Sequence, residues 1–237
     1  MSKLVLHPVS LKTPAEIALK MSESSSLRIT EIFVSLQGEA ATTGLPTTFI
    51  RLTGCPLRCR FCDTAYAFSG GSQRSIEGVI LEVKQKAVSH ICVTGGEPLA
   101  QLECHVLLKN LCDDGFLVSL ETSGAMDIAM VDSRVSVILD IKTPGSGEAH
   151  RNLLDNLKFV QKKDQIKVVI TDVSDFRWFE LFCETNPKVF DAGNIWISPS
   201  YGEVDLQELA GWVIQSQYQF RMQLQLHKQI WGDEIGR

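Results

Sequence analysis

Thr47-Thr-Phe-Ile-Arg51-Leu-Thr-Gly-Cys55-Pro-Leu-Arg-Cys59-Arg-Phe-Cys62-Asp-Thr64 carries a β-branched apolar run, read as a strand at 47–53, directly into three cysteines spaced Cys-x3-Cys-x2-Cys. Three thiolates so close on one loop can converge on a single inorganic cube. A four-iron cube normally takes four cysteines, so three leave one iron open to an outside chelating ligand. That favours a [4Fe–4S] cluster working on a bound molecule over plain electron carriage. Arg51, Arg58 and Arg60 are placed to offset the negative charge of a thiolate-ligated cluster. The competing reading is a zinc site with His90, Cys92 or another side chain as fourth ligand, although no second Cys-x2-Cys knuckle is visible.

Outward from this loop the chain alternates short apolar runs with segments of helical period. Strands are expected at 47–53, 90–94, 116–121, 135–141, 165–170 and 194–198, with a late one at 219–226. Helices are expected at 76–87 (capped by Ser75), 99–113 (ending before Gly115), 149–161, 175–184 and 205–217, with a short piece at 126–132. Alternating strands and helices imply an α/β fold with a parallel sheet and right-handed crossovers, and about six units fit a partial, open (β/α)6 barrel. Residues 1–27 read as an N-terminal extension and 28–237 as one domain. In such sheets the chemistry collects at the carboxyl ends of the strands, where the cysteine loop lies.

The 237 residues, 44% hydrophobic and 22% charged, suffice for one sizeable core. A net charge of −5 without a basic cluster argues against direct nucleic-acid binding and for a small-molecule substrate. The first 26 residues mix Lys3, Lys12, Glu16 and Lys20 with short apolar pieces and lack a signal-peptide core, and no run of eighteen apolar residues occurs. A cytoplasmic protein without a membrane span is expected. Its seven cysteines are then reduced thiols, with Cys92, Cys104, Cys112 and Cys183 packing in apolar patterns.

The triad Cys55, Cys59 and Cys62, with Phe61 before the last cysteine, resembles the signature of the radical S-adenosylmethionine superfamily. The resemblance implies that superfamily's partial barrel, with the cofactor's methionine amino and carboxylate groups on the open iron and one electron from the cluster releasing a 5′-deoxyadenosyl radical. Thr94-Gly95-Gly96-Glu97-Pro98 resembles the Gly-Gly-Glu-Pro element, which implies Gly96 and Glu97 at the cofactor's amino group. Phe61, Cys62 and Asp63 on the loop, and the strand ends Glu121-Thr-Ser123, Asp140-Ile141-Lys142 and Ser198-Pro199-Ser200-Tyr201, are further cofactor candidates. Each of these strand ends also reads as an ordinary loop terminus with its polar groups satisfied. Lys167, polar in an apolar strand, reads as a snorkelling side chain.

Three features narrow the resemblance. Ser35-Leu36-Gln37-Gly38-Glu39, set before the first strand, Arg51 four residues before Cys55, and Thr64 after Cys62-Asp63 together resemble the 7-carboxy-7-deazaguanine synthase family of queuosine and 7-deazapurine biosynthesis. The implied reaction converts 6-carboxy-5,6,7,8-tetrahydropterin to 7-carboxy-7-deazaguanine with loss of ammonia. The implied roles are Leu36, Gln37 and Gly38 at the pterin edge, Arg51 on the substrate carboxylate, Thr94 as a further hydrogen bond and Thr64 as a Mg2+ ligand. Substrate oxygens and water must complete the shell of that ion. The resemblance further implies a homodimer and an electron donor such as flavodoxin or ferredoxin. Gln225-Leu-His227-Lys228 resembles a strand of the family. A glycyl-radical activating enzyme shares the cysteine spacing, and a non-catalytic metal-binding module is the alternative from another class.

Overall fold

The computed structural model describes residues 25–232, 234 and 236. Its strands are β1 Ser26–Leu36, β2 Pro46–Leu52, β3 Ser72–Ser75, β4 His90–Gly95, β5 Leu117–Thr122, β6 Ser136–Asp140, β7 Gln165–Ile170, β8 Asn194–Pro199 and β9 Arg221–Met222. Its helices are α1 Ile76–Gln85, α2 Cys104–Asp113, α3 Val173–Thr185, α4 Leu206–Gln215 and α5 Leu226–Trp231. All strands share one sheet in the order β3-β1-β2-β4-β5-β6-β7-β8-β9. From β2 to β9 every neighbouring pair is parallel, while β1 runs antiparallel to β2 and β3. The six expected strands are β2 and β4 to β8, and the sheet is open rather than closed, as a partial barrel requires.

Two antiparallel strands join that plan. Leu27 and Ile29 of β1 are buried, but most of the strand is half-buried, so it lacks the apolar run of a central strand. Ser35 and Leu36 therefore end the first strand instead of preceding it. Ser26 and Leu27, set in the expected extension, pair with Ser75 and Arg74 of β3; residues 1–24 of that extension lie outside the described residues.

The helix expected at 149–161 does not form; short 3-10 turns at Ala149–Arg151 and Leu154–Lys158 take its place. Buried Asn156 explains the difference. Its side chain accepts from the Ile128 amide and donates to the Gly124 and Met126 carbonyls, so it satisfies a neighbouring loop. No regular element covers 126–132. The strand expected at 219–226 shrinks to β9, and α5 takes up Leu226, His227 and Lys228 in place of a strand. Helices α1, α3 and α4 start on side-chain caps: Ser75 accepts from the Gly78 amide, Asp172 from the Ser174 and Asp175 amides, and Asp205 from the Gln207 and Glu208 amides. Cys92, Cys104, Cys112 and Cys183 are buried, as their apolar patterns imply. No helix among the described residues is long and apolar enough to cross a membrane.

The segment after β1 shows how far the sheet curls. Between β1 and β7 lie four strands, which in a flat sheet puts them about 24 Å apart. Yet the Ala41 amide donates to Gln165 Oε1 of β7 at 2.8 Å, and Glu39 pairs with Lys167 of the same strand. Gln223, just after β9, accepts from the Ala40 amide at 2.6 Å and donates to the Ala40 carbonyl and the Thr43 hydroxyl at 3.1 and 2.7 Å. Residues 37–43 thus strap the open side of the barrel. Gln223→Leu should lower stability by about 2 kcal/mol in urea unfolding with the m-value unchanged, because the buried amide and carbonyl of Ala40 lose their mate; an unchanged midpoint would show that the strap carries no load.

Candidate active site

A cavity of about 580 Å³ opens at the carboxyl ends of the parallel strands. It brings together most of the residues singled out from the sequence. Cys55, Cys59, Phe61, Cys62, Asp63 and Thr64 line it from the cysteine loop, and Leu36, Gln37, Gly38, Arg51 and Thr94 from β1, the strap, β2 and β4. Gly96, Glu121, Ser123, Asp140, Lys142, Pro199, Ser200 and Tyr201 complete the set at the other strand ends.

Glu97, Ile141 and Ser198 are not part of the lining; all three are buried. The Glu97 carboxylate is saturated from within the chain. It accepts from the Leu99 amide at 3.0 Å, the Thr122 hydroxyl at 2.9 Å, and the Ser123 amide and hydroxyl at 2.7 and 2.5 Å. Glu97 therefore knits the end of β4 to the end of β5. Ile141 belongs to the apolar core.

The glycines before Glu97 have a specific steric reason. A Cβ on Gly96 would lie 2.2 Å from the Gly54 carbonyl oxygen and 2.9 Å from Cys55 Cβ; one on Gly95 would lie 2.3 Å from the Leu52 oxygen. The backbone that approaches so closely is the start of the cysteine loop. The Gly96 amide donates to Leu52 O at 3.1 Å and the Glu97 amide to Gly54 O at 2.8 Å, which fixes that start.

Within the loop the Leu57 amide donates to Cys55 Sγ at 3.4 Å and the Cys62 amide to the Cys59 carbonyl at 3.2 Å. Burial raises the Cys55 thiol and pushes the Cys59 thiol up to about 11, with the Lys142 charge working the other way at both. Metal ligation must displace those protons. Among the described residues no group of three or more His, Cys, Asp or Glu side chains is disposed around a single ion. His90 lies at the opposite end of β4 from the loop, and Cys92 is buried in that strand, so the zinc reading lacks its fourth ligand. A four-iron cube asks for thiolates spread around a larger body, and three half-buried cysteines lining one cavity fit that requirement.

The three arginines around the loop take different partners. Arg58 donates to the Cys55 and Leu57 carbonyls and stacks over Phe68; Arg60 reaches Gly145 O and Glu203; Arg51 Nε donates to Glu31 at 2.7 Å. The cation whose field reaches Cys59 is Lys142, paired with Asp140 at 2.9 Å. Burial opposes the Lys142 charge, but Asp140 and Cys59 outweigh it and hold its pKa above the ordinary lysine value.

Arg51, in the same lining, is fixed by partners that sequence reasoning missed. Glu31 accepts from both Arg51 and the Tyr66 hydroxyl on one oxygen, and the guanidinium lies 5.8 and 5.9 Å from the Phe33 and Tyr66 ring centres. Burial pushes the Tyr66 phenol up to about 12, against the Arg51 charge, so it stays a donor. Gln37 Nε2 and Thr94 Oγ1 donate to the two oxygens of Glu121 at 3.2 and 2.9 Å, which joins two substrate candidates to a cofactor candidate. The Gln37 amide is itself committed to Leu45 O, so its side chain is the part that reaches this network.

Lys167 is not snorkelling. Its side chain is buried against Glu39, which also accepts from Gln225 at 2.9 Å. Burial disfavours the charge, but Glu39 outweighs it and raises the lysine pKa. A charged residue mid-strand between apolar neighbours was the available signal for this pair. His227 was also missed as a wall residue. Its imidazole occupies the space a Cβ on Gly38 would need, 2.1 Å from Nδ1.

An open parallel sheet with a three-cysteine loop after its first parallel strand defines the radical S-adenosylmethionine class, and the family model described as the Radical SAM superfamily matches residues 49–146. A 7-carboxy-7-deazaguanine synthase of Koribacter versatilis is 37% identical over 222 residues, covering 88% of this chain and 98% of that protein. One from Methanospirillum hungatei is 39% identical over 211 residues, covering 88% and 87%. The crystal structure of QueE from Escherichia coli superposes with a TM-score of 0.73 at 24% identity, covering 88% of this chain and 98% of that one, a likeness of fold. The chain belongs to the 7-carboxy-7-deazaguanine synthase family. Membership in that radical class implies a [4Fe–4S] cluster and S-adenosylmethionine as its cofactors.

Gly96→Ala tests the seating of the loop. The added methyl must displace the Gly54 carbonyl, at a cost of about 1–3 kcal/mol, and iron and sulfide bound after anaerobic reconstitution should fall sharply while circular dichroism stays native. Full cluster occupancy in this variant would refute the seating.

Proposed function

We propose that this chain catalyses the ring contraction of 6-carboxy-5,6,7,8-tetrahydropterin to 7-carboxy-7-deazaguanine, with release of ammonia, as a radical S-adenosylmethionine lyase. The observation that supports this most directly is one cavity lined both by Cys55, Cys59 and Cys62 and by Arg51, Gln37, Thr94 and Glu121. A glycyl-radical activating enzyme must admit a protein loop and has no need of this array of small-molecule donors and acceptors.

Cys55, Cys59 and Cys62 hold the cluster in this reading, and Phe61, Asp63, Gly96, Ser123, Asp140, Lys142, Pro199, Ser200 and Tyr201 surround S-adenosylmethionine. Glu97 contributes through its neighbours, because its own carboxylate is already saturated. Bound there, cluster and cofactor supply the hydrogen-atom abstraction that starts the rearrangement.

The protein's own part is binding and orientation. Arg51 takes the substrate carboxylate as a planar fork, and because Glu31 and Tyr66 already fix it, little side-chain entropy is lost on binding. The Glu121 carboxylate, oriented by Gln37 and Thr94, offers an acceptor to the N–H groups of the pterin. Lys167, held charged by Glu39, serves as a fixed charge and not as a base. Thr64 supplies a hydroxyl for Mg2+ beside Cys62, at 3.8 Å from its sulfur, and substrate oxygens and water complete the shell. The same reading carries a homodimer, a cytoplasmic setting and an external one-electron donor such as flavodoxin or ferredoxin.

Reduced, cluster-loaded protein given carboxytetrahydropterin and S-adenosylmethionine should yield 7-carboxy-7-deazaguanine by mass spectrometry; failure to form it would sink the assignment. Thr64→Ala should keep the cluster and lose the stimulation by Mg2+. A magnesium titration curve unchanged from the parent would remove Thr64 from the metal site.

A further inference from the structure

We propose that the turn at 143–148, between β6 and β7, is a clamp that sets the position of Cys59, with Glu148 and Asp175 as its positioning residues. The inference rests on the cluster reading above and is independent of the substrate.

The cysteine loop has no regular structure between β2 and the 3-10 turn at Ala65–Phe68, so its course depends on bonds from elsewhere. At Cys55 these come from the end of β4. Cys59, the middle ligand, is reached from β6. The amides on either side of it both donate into the turn, Arg58 N to Glu148 Oε1 at 2.7 Å and Arg60 N to Ser146 O at 3.0 Å. Arg60 Nε adds a bond to Gly145 O at 3.1 Å. Two anchored neighbours leave Cys59 little backbone freedom, and a thiolate on a fixed backbone holds its iron with less reorganisation.

The turn can serve as an anchor because it is itself rigid. Ser146 Oγ donates to Thr143 O at 2.6 Å and accepts from the Glu148 amide at 3.0 Å. Gly147 adopts φ +81°, which favours glycine, and its amide closes the turn onto Pro144 O at 2.9 Å. Beneath it Asp175 of α3, buried to 2% exposure, accepts from Thr143 Oγ1 at 3.0 Å, Gly145 N at 2.8 Å, and Thr171 N and Oγ1 at 3.1 and 2.6 Å. A side chain at 145 would displace the groups that hold the turn, since its Cβ would meet Thr171 Oγ1 at 2.1 Å and Asp175 Oδ2 at 2.3 Å. An unbroken path of hydrogen bonds therefore runs from α3 through the turn to the residues flanking Cys59.

Glu148→Ala, Glu148→Gln and Asp175→Asn in the full-length chain test this. After anaerobic reconstitution, loss of iron to a ferrous chelator should be about tenfold faster in Glu148→Ala, the kinetic equivalent of one hydrogen bond to a charged acceptor. The electron paramagnetic resonance signal of its reduced cluster should broaden. Glu148→Gln keeps an acceptor oxygen and should restore both, which a role through charge alone does not predict. Asp175→Asn sets an amide donor against donors and should release iron faster still, with thermal unfolding recorded to confirm that it folds. Iron release and spectra in Glu148→Ala equal to those of the parent, or Glu148→Gln as labile as Glu148→Ala, would overturn the clamp and leave the cluster reading intact. A parent protein that takes up no iron and sulfide would overturn both.

Discussion

The Glu97 amide donating to the Gly54 carbonyl and the Gly96 amide donating to Leu52 join the tip of β4 to the place where β2 gives way to the cysteine loop. Much else depends on that junction. Three thiolates on an irregular loop can serve one inorganic cube only if the loop follows a single course, and a loop without its own backbone ladder must take that course from its neighbours. The neighbours here are parallel strands, which end side by side on one face of the sheet. Their terminal turns are therefore within reach of a loop that leaves β2. The saturated Glu97 carboxylate extends the brace to β5, so three adjacent strand ends behave as one support.

Electrostatics in the cavity follow a related logic. Arg51 with Glu31, Lys142 with Asp140 and Lys167 with Glu39 are charge pairs with little exposed side-chain surface. Removing such charges from water costs several kcal/mol each, and pairing recovers part of it. The result is fixed dipoles that need no solvent to hold them. Such groups orient a polar ligand without reorganising as charge shifts, which suits a reaction in which water must be kept away. Glu121 differs in that its hydrogen-bond partners, Gln37 and Thr94, are neutral.

The parallel strands and the cysteine loop were legible in the sequence because both are local signals. β2 and β4 to β8 are apolar runs buried on two faces, and Cys55, Cys59 and Cys62 fall within a stretch of eight residues. What escaped was set by distant partners. β1 is polar at alternate positions and is a strand because β2 and β3 flank it. The 149–161 segment has helical composition, but Asn156 is more valuable to the Gly124–Ile128 backbone than to a helix. Glu97 reads as a ligand group from its motif and is a brace in the fold, while Glu31, which holds Arg51, carries no local mark of the cavity it supports.

The strap after β1 explains why so much of the site is assembled from sequence-distant pieces. A sheet with two free edges leaves its barrel open along one side, and a radical intermediate in an open barrel is exposed to quenching by solvent. Residues 37–43 bridge part of that gap through Gln165, Lys167 and Gln223. The C-terminal segment continues the wall. Leu226 N donates to Gly38 O at 3.0 Å, His227 fills the space left by the missing Cβ of Gly38, and Lys228 lies 5.7 Å from the Tyr201 ring centre. A side chain at 38 would therefore push the C-terminal wall outward. The small residue at 38 thus lets the strap and the C-terminal wall meet closely, so it serves the closure of the barrel.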